Sequence, residues 1–321
     1  MIAVLCGGVG AARLLAGLVQ VMDPAEITAI VNTGDDLVLH GLSISPDLDT
    51  IMYTLADATD PVRGWGLRDE TWNAIDALDR YAAVRPVGSQ AANTWFRLGD
   101  RDLATHLYRT QRLDEGATLT EVTAELTTAW GLGLQMVPVT NDPIRTMVTA
   151  TLASGPEEIS FQDYFVRLHH DVAVSSVRFA GAAEAKASTA VLQAIATAET
   201  IVIAPSNPIV SIGPIRAIAG IEQALIARRD DVVAVSPLMG GKALKGPADR
   251  LLVELGSTSD NAGIARAYAA IAATLVIDDG DHDDADEVER LGLRCVVTPT
   301  LMNTPARAAH LAATVLRGKH V

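Results

Sequence analysis

Cysteine is nearly missing from this chain. Its 321 residues hold two, Cys6 and Cys295. Both lie in apolar runs, so no disulfide framework is expected and the reading is a reduced, cytoplasmic protein. Long hydrophobic runs are missing as well. The Ala-rich stretch 262–277 is broken by Arg266 and Tyr268, which suits a buried helix rather than a membrane span. The N-terminus carries no charged leader, so neither a targeting segment nor a membrane partner is expected. Positive charge is scarce: 25 Lys and Arg stand against 39 Asp and Glu, a net charge of −14. That argues against a surface for duplex nucleic acid, which would be basic. It leaves room for an anionic small molecule, because a local Arg/Lys cluster or a bound metal reverses the field. There is no G-x-S-x-G elbow, no H-E-x-x-H and no C-x-x-C, so serine hydrolase, zincin and thiol-redox chemistry drop out.

What remains is an ordinary globular composition, 49% hydrophobic and 20% charged, long enough for a large core and one or two domains. Strand-like runs recur at 1–6, 27–31, 134–139, 145–150, 172–179, 200–204, 231–235, 273–277 and 293–297. Many are continuous Val/Ile/Leu/Ala runs, as strands covered on both faces require. Helix-like stretches at 11–22, 47–57, 184–198, 214–228, 247–255, 262–272 and 304–317 separate them. The alternation predicts a Rossmann-like α/β fold, a mostly parallel sheet with helices on both faces. Residues 62–132 break the rhythm. They hold all four tryptophans and little strand signal, and they predict a mainly helical insertion that caps the site. The core is then 1–61 with 133–321. The rings of the insertion either fill a core or line a flat heterocycle.

The opening, MIAVLCGGVGAARLLAGL, is a strand, a Gly-rich turn at Gly7, Gly8 and Gly10, and a helix that begins near Arg13. Free backbone N–H groups at such a helix start cradle an anion. Two familiar motifs fail here. No Lys-Ser/Thr follows the glycines, so this is no P-loop, and Arg13 stands where the dinucleotide fingerprint needs a small residue. With no acidic residue at the end of strand two, about 20 positions on, a dehydrogenase is disfavoured. The second strand instead ends in Asn32-Thr33-Gly34-Asp35-Asp36, and Asp47 and Asp49 open the next helix. One carboxylate there caps a helix end, but two cannot both do so, and a pair of oxygen ligands for Mg²⁺ on a diphosphate is the sharper reading.

Three later segments carry further candidates. TWFRLGDRDLATHLYRT (94–110) is either a solvated helical face or a loop that presents Arg97 beside a ring. IVIAPSNPIVSIGPI (201–215) offers Ser206 and Asn207 as phosphate donors, or is simply a capped strand-to-helix turn. SPLMGGKALKGPADRLL (236–252) sets Lys242 and Lys245 among glycines, an anion or nucleotide site in an acidic protein. The acidic run at 278–289 reads as a solvated loop and helix start rather than a metal site.

Taken together, GGVGAARLL (7–15), NTGDD (32–36), SPDLDTIMYTL (45–55), TWFRLGDRDLATH (94–106), TNDPIRTMV (140–148), FQDYFV (161–166), APSNPIVSIGPI (204–215) and GGKALKGPADRLL (240–252) resemble the 2-phospho-L-lactate transferase family, including its phosphoenolpyruvate-using bacterial branch. The resemblance covers essentially the whole chain. It implies a step in making coenzyme F-420. A phosphorylated three-carbon acid moves from a guanosine diphosphate-linked donor to the ribityl hydroxyl of the deazaflavin Fo, GMP leaves, and Mg²⁺ is required. By the same match Asp49 lies at the metal and the hydroxyl, Arg97 near Fo, and Ser206, Asn207 and the Gly8/Gly10 loop at the guanosine diphosphate. Ala11 and Arg13 stand where many relatives carry Gly and Lys. A related family binds UDP-sugars on a similar fold without this catalysis; TWFRLGDRD and the Trp-rich insertion favour the enzyme. The Ala/Arg-rich composition leans toward the enolpyruvyl donor, and a homodimer is the expected assembly.

Overall fold

The stretch Ile2–Cys6 (β1) carries five apolar side chains in a row, all buried. A strand of that composition needs cover on both faces and neighbours on both edges. The computed structural model, which describes residues 1–318, supplies both. Ile27–Val31 (β2), Gln135–Pro138 (β3), Thr200–Ile203 (β4), Val232–Val235 (β5), Thr274–Ile277 (β6) and Arg294–Val297 (β7) join β1 in one sheet. Its order is β7-β6-β5-β4-β1-β2-β3, and every pairing is parallel. Both cysteines are free, one on β1 and one on β7. No helix among the described residues is long and apolar enough to cross a membrane.

Side chains leave the strands alternately. Ala3 and Leu5 enter one apolar layer with helices Thr189–Thr197, Ile212–Ala217, Ile221–Ala227 and Asn261–Tyr268. Ile2, Val4 and Cys6 enter the other, with Gly8–Val21 (α1), Pro46–Leu55 (α2) and the C-terminal helix Pro305–Arg317. Each fully buried Leu, Ile or Val contributes about 1.5–3 kcal/mol to holding these layers together. The C-terminal helix crosses α1 so closely that a Cβ on Gly17 would collide with the Ala308 carbonyl.

Two runs expected in the parallel sheet lie elsewhere. Arg145–Leu152 and Val174–Ala180 sandwich neither helix layer. With Gly155–Ser160 they form a separate three-stranded antiparallel sheet. The physical reason is in Arg145–Leu152 itself: Thr146, Val148 and Ala150 are buried while the residues between them are not, the pattern of a sheet with one wet face. The single helix expected at 214–228 is two, parted at Gly220, whose φ of 88° is left-handed.

Between β2 and β3 the chain forms a hairpin, Leu37–Leu39 with Leu42–Ile44, then α2, Asn73–Ala82 (α3), Asp102–Asp114 (α4) and Leu119–Ala129 (α5). Reciprocal carboxylate caps tie α3 to α4. Asp100 accepts from the backbone N–H groups of Asn73 and Ala74, each at 2.9 Å. Glu70 accepts from those of Arg101 at 2.7 Å and Asp102 at 3.1 Å. The bond from the Thr71 hydroxyl, followed by those from Ala74 and Asn73, holds Asp100 well below the usual carboxylate range. Gly99 is required because a Cβ there would overlap Glu70. The tryptophans divide between the two expected roles. Trp130 packs on Tyr53 with ring centroids 5.2 Å apart and joins the core, whereas Trp65 reaches the cavity described next.

Candidate active site

Strand order reverses between β1 and β4, and ligands of open parallel sheets bind in the crevice outside such a pair. A cavity of about 570 Å³ opens there. Gly8, Gly10, Arg13, Asp35, Asp47, Asp49, Arg97, Ser206, Asn207 and Lys245, drawn from segments far apart in the chain, all line it. Asn32, Asp36 and Lys242 do not. Asn32 is fully buried behind the wall. Asp36 turns back to accept from the Ser45 hydroxyl at 2.8 Å. Lys242 is exposed on the hairpin Leu238–Met239/Lys242–Ala243. Gly240 and Gly241, both at positive φ, fold that hairpin tightly and carry Lys242 away, while Lys245, three residues on, reaches the cavity.

The first turn is built by close approaches. Gly7 precedes α1 and has no side chain with which to cap it. A Cβ on Gly10 would strike the Pro205 carbonyl after β4, and one on Gly7 would strike Asp47. Asp47 and Asp49 cap nothing on their own helix. Asp47 accepts from the Gly8 amide and from Asn32 Nδ2, both at 2.9 Å. Asp49 is bound through both oxygens by Arg109. The carboxylate of Asp47 therefore takes the first amide of the α1 cradle, and the next two residues, Val9 and Gly10, face the cavity.

The acidic cluster is short of positive charge. Burial, and then the neighbouring carboxylates of Asp47 and Asp36, push Asp35 well above the carboxylate range. Burial pushes Asp47 up to about 6 against the bonds from Asn32 and Gly8, and Asp36 up to about 7 against that from Ser45. Asp35 Oδ1 is buried and has no hydrogen-bond partner. No three acidic, histidine or cysteine side chains form a preformed metal cage among the described residues. An unpartnered carboxylate oxygen beside two more carboxylates suits a cation that keeps waters and takes its remaining ligands from a substrate, the habit of Mg²⁺.

Ser206 and Asn207 are partly committed to the scaffold. The Ser206 hydroxyl donates to the Gly7 carbonyl at 2.8 Å. Asn207 Oδ1 accepts from the amides of Ile209 at 2.9 Å and Val210 at 3.3 Å. Asn207 thus presents its Nδ2 side to a ligand. Across the cavity, partial burial and then the Arg13 cation pull Lys245 below its usual value. Neither cation has a carboxylate partner among the described residues, and two neighbouring unpaired cations make an anion site.

On the insertion side Arg97 lies over the Trp72 ring, 5.2 Å from its centroid, and pairs with Asp76 at 2.5 Å. The ring beside it is thus Trp72, not the adjacent Trp95. The same segment also holds two buried residues that a solvated helical face would not contain. His106 and Arg109, each 1% exposed, face inward from α4. Their signal lies in the spacing: Asp102, Thr105, His106 and Arg109 recur at i, i+3, i+4 and i+7, one face of a helix. In the acidic run, Asp278 and Asp281 are likewise buried rather than solvated. Asp278 accepts from the Thr300 amide and Asp281 from the Gly240 amide, each at 2.8 Å.

A seven-stranded parallel sheet of this order, with its cavity at the reversal, defines a Rossmann-like α/β protein. The chain belongs to the 2-phospho-L-lactate transferase CofD family, whose model matches residues 2–301, and is a transferase of that family. It is 42% identical over 342 residues to a phosphoenolpyruvate transferase of Mycobacterium avium, covering 98% of each chain. It is 41% identical over 330 residues to one of Mycobacterium tuberculosis, covering 97% of this chain and 96% of that one. Among solved structures, protein BH3568 of Bacillus halodurans superposes with a TM-score of 0.62 over 98% of each chain at 14% identity, which establishes the shared fold alone.

Proposed function

We propose that this protein transfers a phosphoenolpyruvyl group, or the related 2-phospholactyl group, from a guanosine diphosphate-linked donor to the deazaflavin Fo in coenzyme F-420 biosynthesis. The names of the mycobacterial relatives favour the enolpyruvyl donor. The observation that carries the reading is the meeting, in one cavity, of the start of α1, an acidic cluster, an unpaired Arg13–Lys245 pair and an arginine seated on a tryptophan.

In the proposed reaction the ribityl hydroxyl oxygen attacks the phosphorus that bears the three-carbon acid. The bond from that phosphorus to the bridging oxygen breaks, and GMP leaves with the oxygen. The start of α1 and Asn207 Nδ2 hold the diphosphate, and Arg13 and Lys245 take its remaining charge. Asp49 faces the hydroxyl and accepts its proton. Arg97 with Trp72 holds the flat deazaflavin on the insertion side. Asp47, Asp49 and Asp35 would hold Mg²⁺, which when bound neutralises charge on the diphosphate. The test is GMP release from the donor. It should require Fo, stop in EDTA and return with added Mg²⁺. Full release in chelator, or release independent of Fo, overturns the reading.

A further inference from the structure

Asp49 is bound by a guanidinium that is itself gripped from behind. Arg109 Nη1 and Nη2 donate to the two oxygens of Asp49. Burial disfavours the Arg109 cation, but Asp49 first and then Asp36 and Tyr53 favour it, and the balance is upward, so Arg109 remains a cation inside the wall. Arg109 Nη1 also donates to the Ser43 carbonyl at 3.3 Å, and His106 stands next in line, its Nδ1 3.3 Å from Nη1 and its Nε2 beside Asp102 Oδ2 at 3.2 Å, an ion-pair contact without hydrogen-bond geometry. Asp102 Oδ1 in turn accepts from the Tyr53 hydroxyl at 2.6 Å, and that hydroxyl also meets Thr105 Oγ1 at 2.8 Å. The series runs along the cavity wall, where Asp49, His106, Asp102 and Tyr53 all face the cavity and Arg109 lies behind them, and the Tyr53 ring rests on Trp130. Asp49 and Tyr53 lie one turn apart on α2, and the other members lie on α4.

We propose that Arg109, seated by His106 and Asp102, is the positioning residue for Asp49. This rests on the role given to Asp49 above. A carboxylate has about four acceptor sites, and a bidentate guanidinium uses two in one plane. Asp49 is left with one outward site on each oxygen and no freedom to rotate. A side chain fixed in that way meets an incoming hydroxyl or cation without first being ordered. The contact also docks α4, the helix that follows Arg97, onto α2, so the acceptor side and the reacting side of the cavity share one rigid joint. A lysine at 109 keeps the charge but grips a single point.

The test is a double-mutant cycle. Asp49→Asn should lower kcat on the order of 100-fold. Arg109→Met should lower kcat by a similar factor while leaving the KM for the donor within about twofold, and Arg109→Lys should recover part of the loss. The pair Asp49→Asn with Arg109→Met removes both buried charges together. It should be no slower than Asp49→Asn alone, because residues acting as a unit are not additive. Should Arg109→Met fail to fold, His106→Gln carries the test, with kcat down about tenfold and a crystal structure showing the Asp49 carboxylate rotated or split between rotamers. Normal turnover in Asp49→Asn would sink the role of Asp49 itself. A slow Asp49→Asn beside a fast Arg109→Met, a multiplicative double variant, or an unmoved Asp49 in His106→Gln would overturn the positioning role alone.

Discussion

Ser206 grips the peptide of Gly7 from both sides. Its hydroxyl accepts from the Gly7 amide at 3.3 Å and donates to the Gly7 carbonyl at 2.8 Å. The turn after β1 and the turn after β4 are thereby joined where the strand order reverses, so the crevice has a fixed width before any ligand arrives. Under the proposed reaction, Ser206 would shape the donor site rather than hold the donor.

Ser206→Ala should then cost about 1–3 kcal/mol of folding stability, since it strands a buried amide and carbonyl. It should also raise the KM for the donor about tenfold with little change in that for Fo. Thermal unfolding and steady-state kinetics with each substrate varied check both numbers. An unchanged unfolding temperature would show that the clasp does not hold in solution.

Asp36 sets a pH dependence whose sign follows from its raised value of about 7. An unfolded aspartate titrates near 3.9, so ionisation is harder in the fold. Its contribution to stability is full below about pH 4 and is lost as pH rises through 7. Asp36→Asn lacks that loss. The unfolding temperature of the variant minus that of the native protein should grow by roughly 2–4 °C between pH 5 and pH 8. A difference that stays level across that range contradicts the burial of an ionisable Asp36.

Arg97 is exposed, and its pair with Asp76 is a surface contact that contributes little to stability. Arg97→Ala should leave unfolding within about 0.5 kcal/mol of native. It should raise the KM for Fo about tenfold and that for the donor by less than twofold, because a cation seated on Trp72 serves the flat ring. Equal changes for both substrates would mean that the two ends of the cavity are not divided as argued.

Much of this arrangement was legible in the residue order. Five of the seven parallel strands, β1, β2, β4, β5 and β6, are largely apolar runs buried along their whole length, as a strand covered on both faces requires, and the helices fall between them. Arg145–Leu152 is apolar enough to pass for a parallel strand, and only its alternation of buried and half-buried residues marks it as part of a sheet with one wet face. Two carboxylates cannot both cap one helix end, and neither Asp47 nor Asp49 caps α2. What stayed hidden depended on pairing across the chain. Arg109 reads as a solvated charge until Asp49, sixty positions earlier, is brought against it. The Lys242 side chain reads as part of the anion site until the turn at Gly240 and Gly241 carries it outward.

Magnesium should act on folding as well as on turnover. A cation at Asp35, Asp47 and Asp49 supplies charge that the acidic cluster lacks, and ligands that bind only the folded state raise its stability by mass action. With GDP present, adding Mg²⁺ should raise the unfolding temperature by a few degrees in the native protein and not in Asp35→Asn with Asp47→Asn. The same shift in both proteins would place the cation elsewhere.

The most direct measurement is the mass of the product. Purified protein, Fo, Mg²⁺ and the enolpyruvyl or lactyl donor should be incubated in parallel, and the deazaflavin fraction examined by mass spectrometry. The expected result is Fo carrying one phosphorylated three-carbon acid, formed with one GMP per product and faster from the enolpyruvyl donor. Unmodified Fo with either donor, from protein that binds a UDP-sugar instead, would contradict the account.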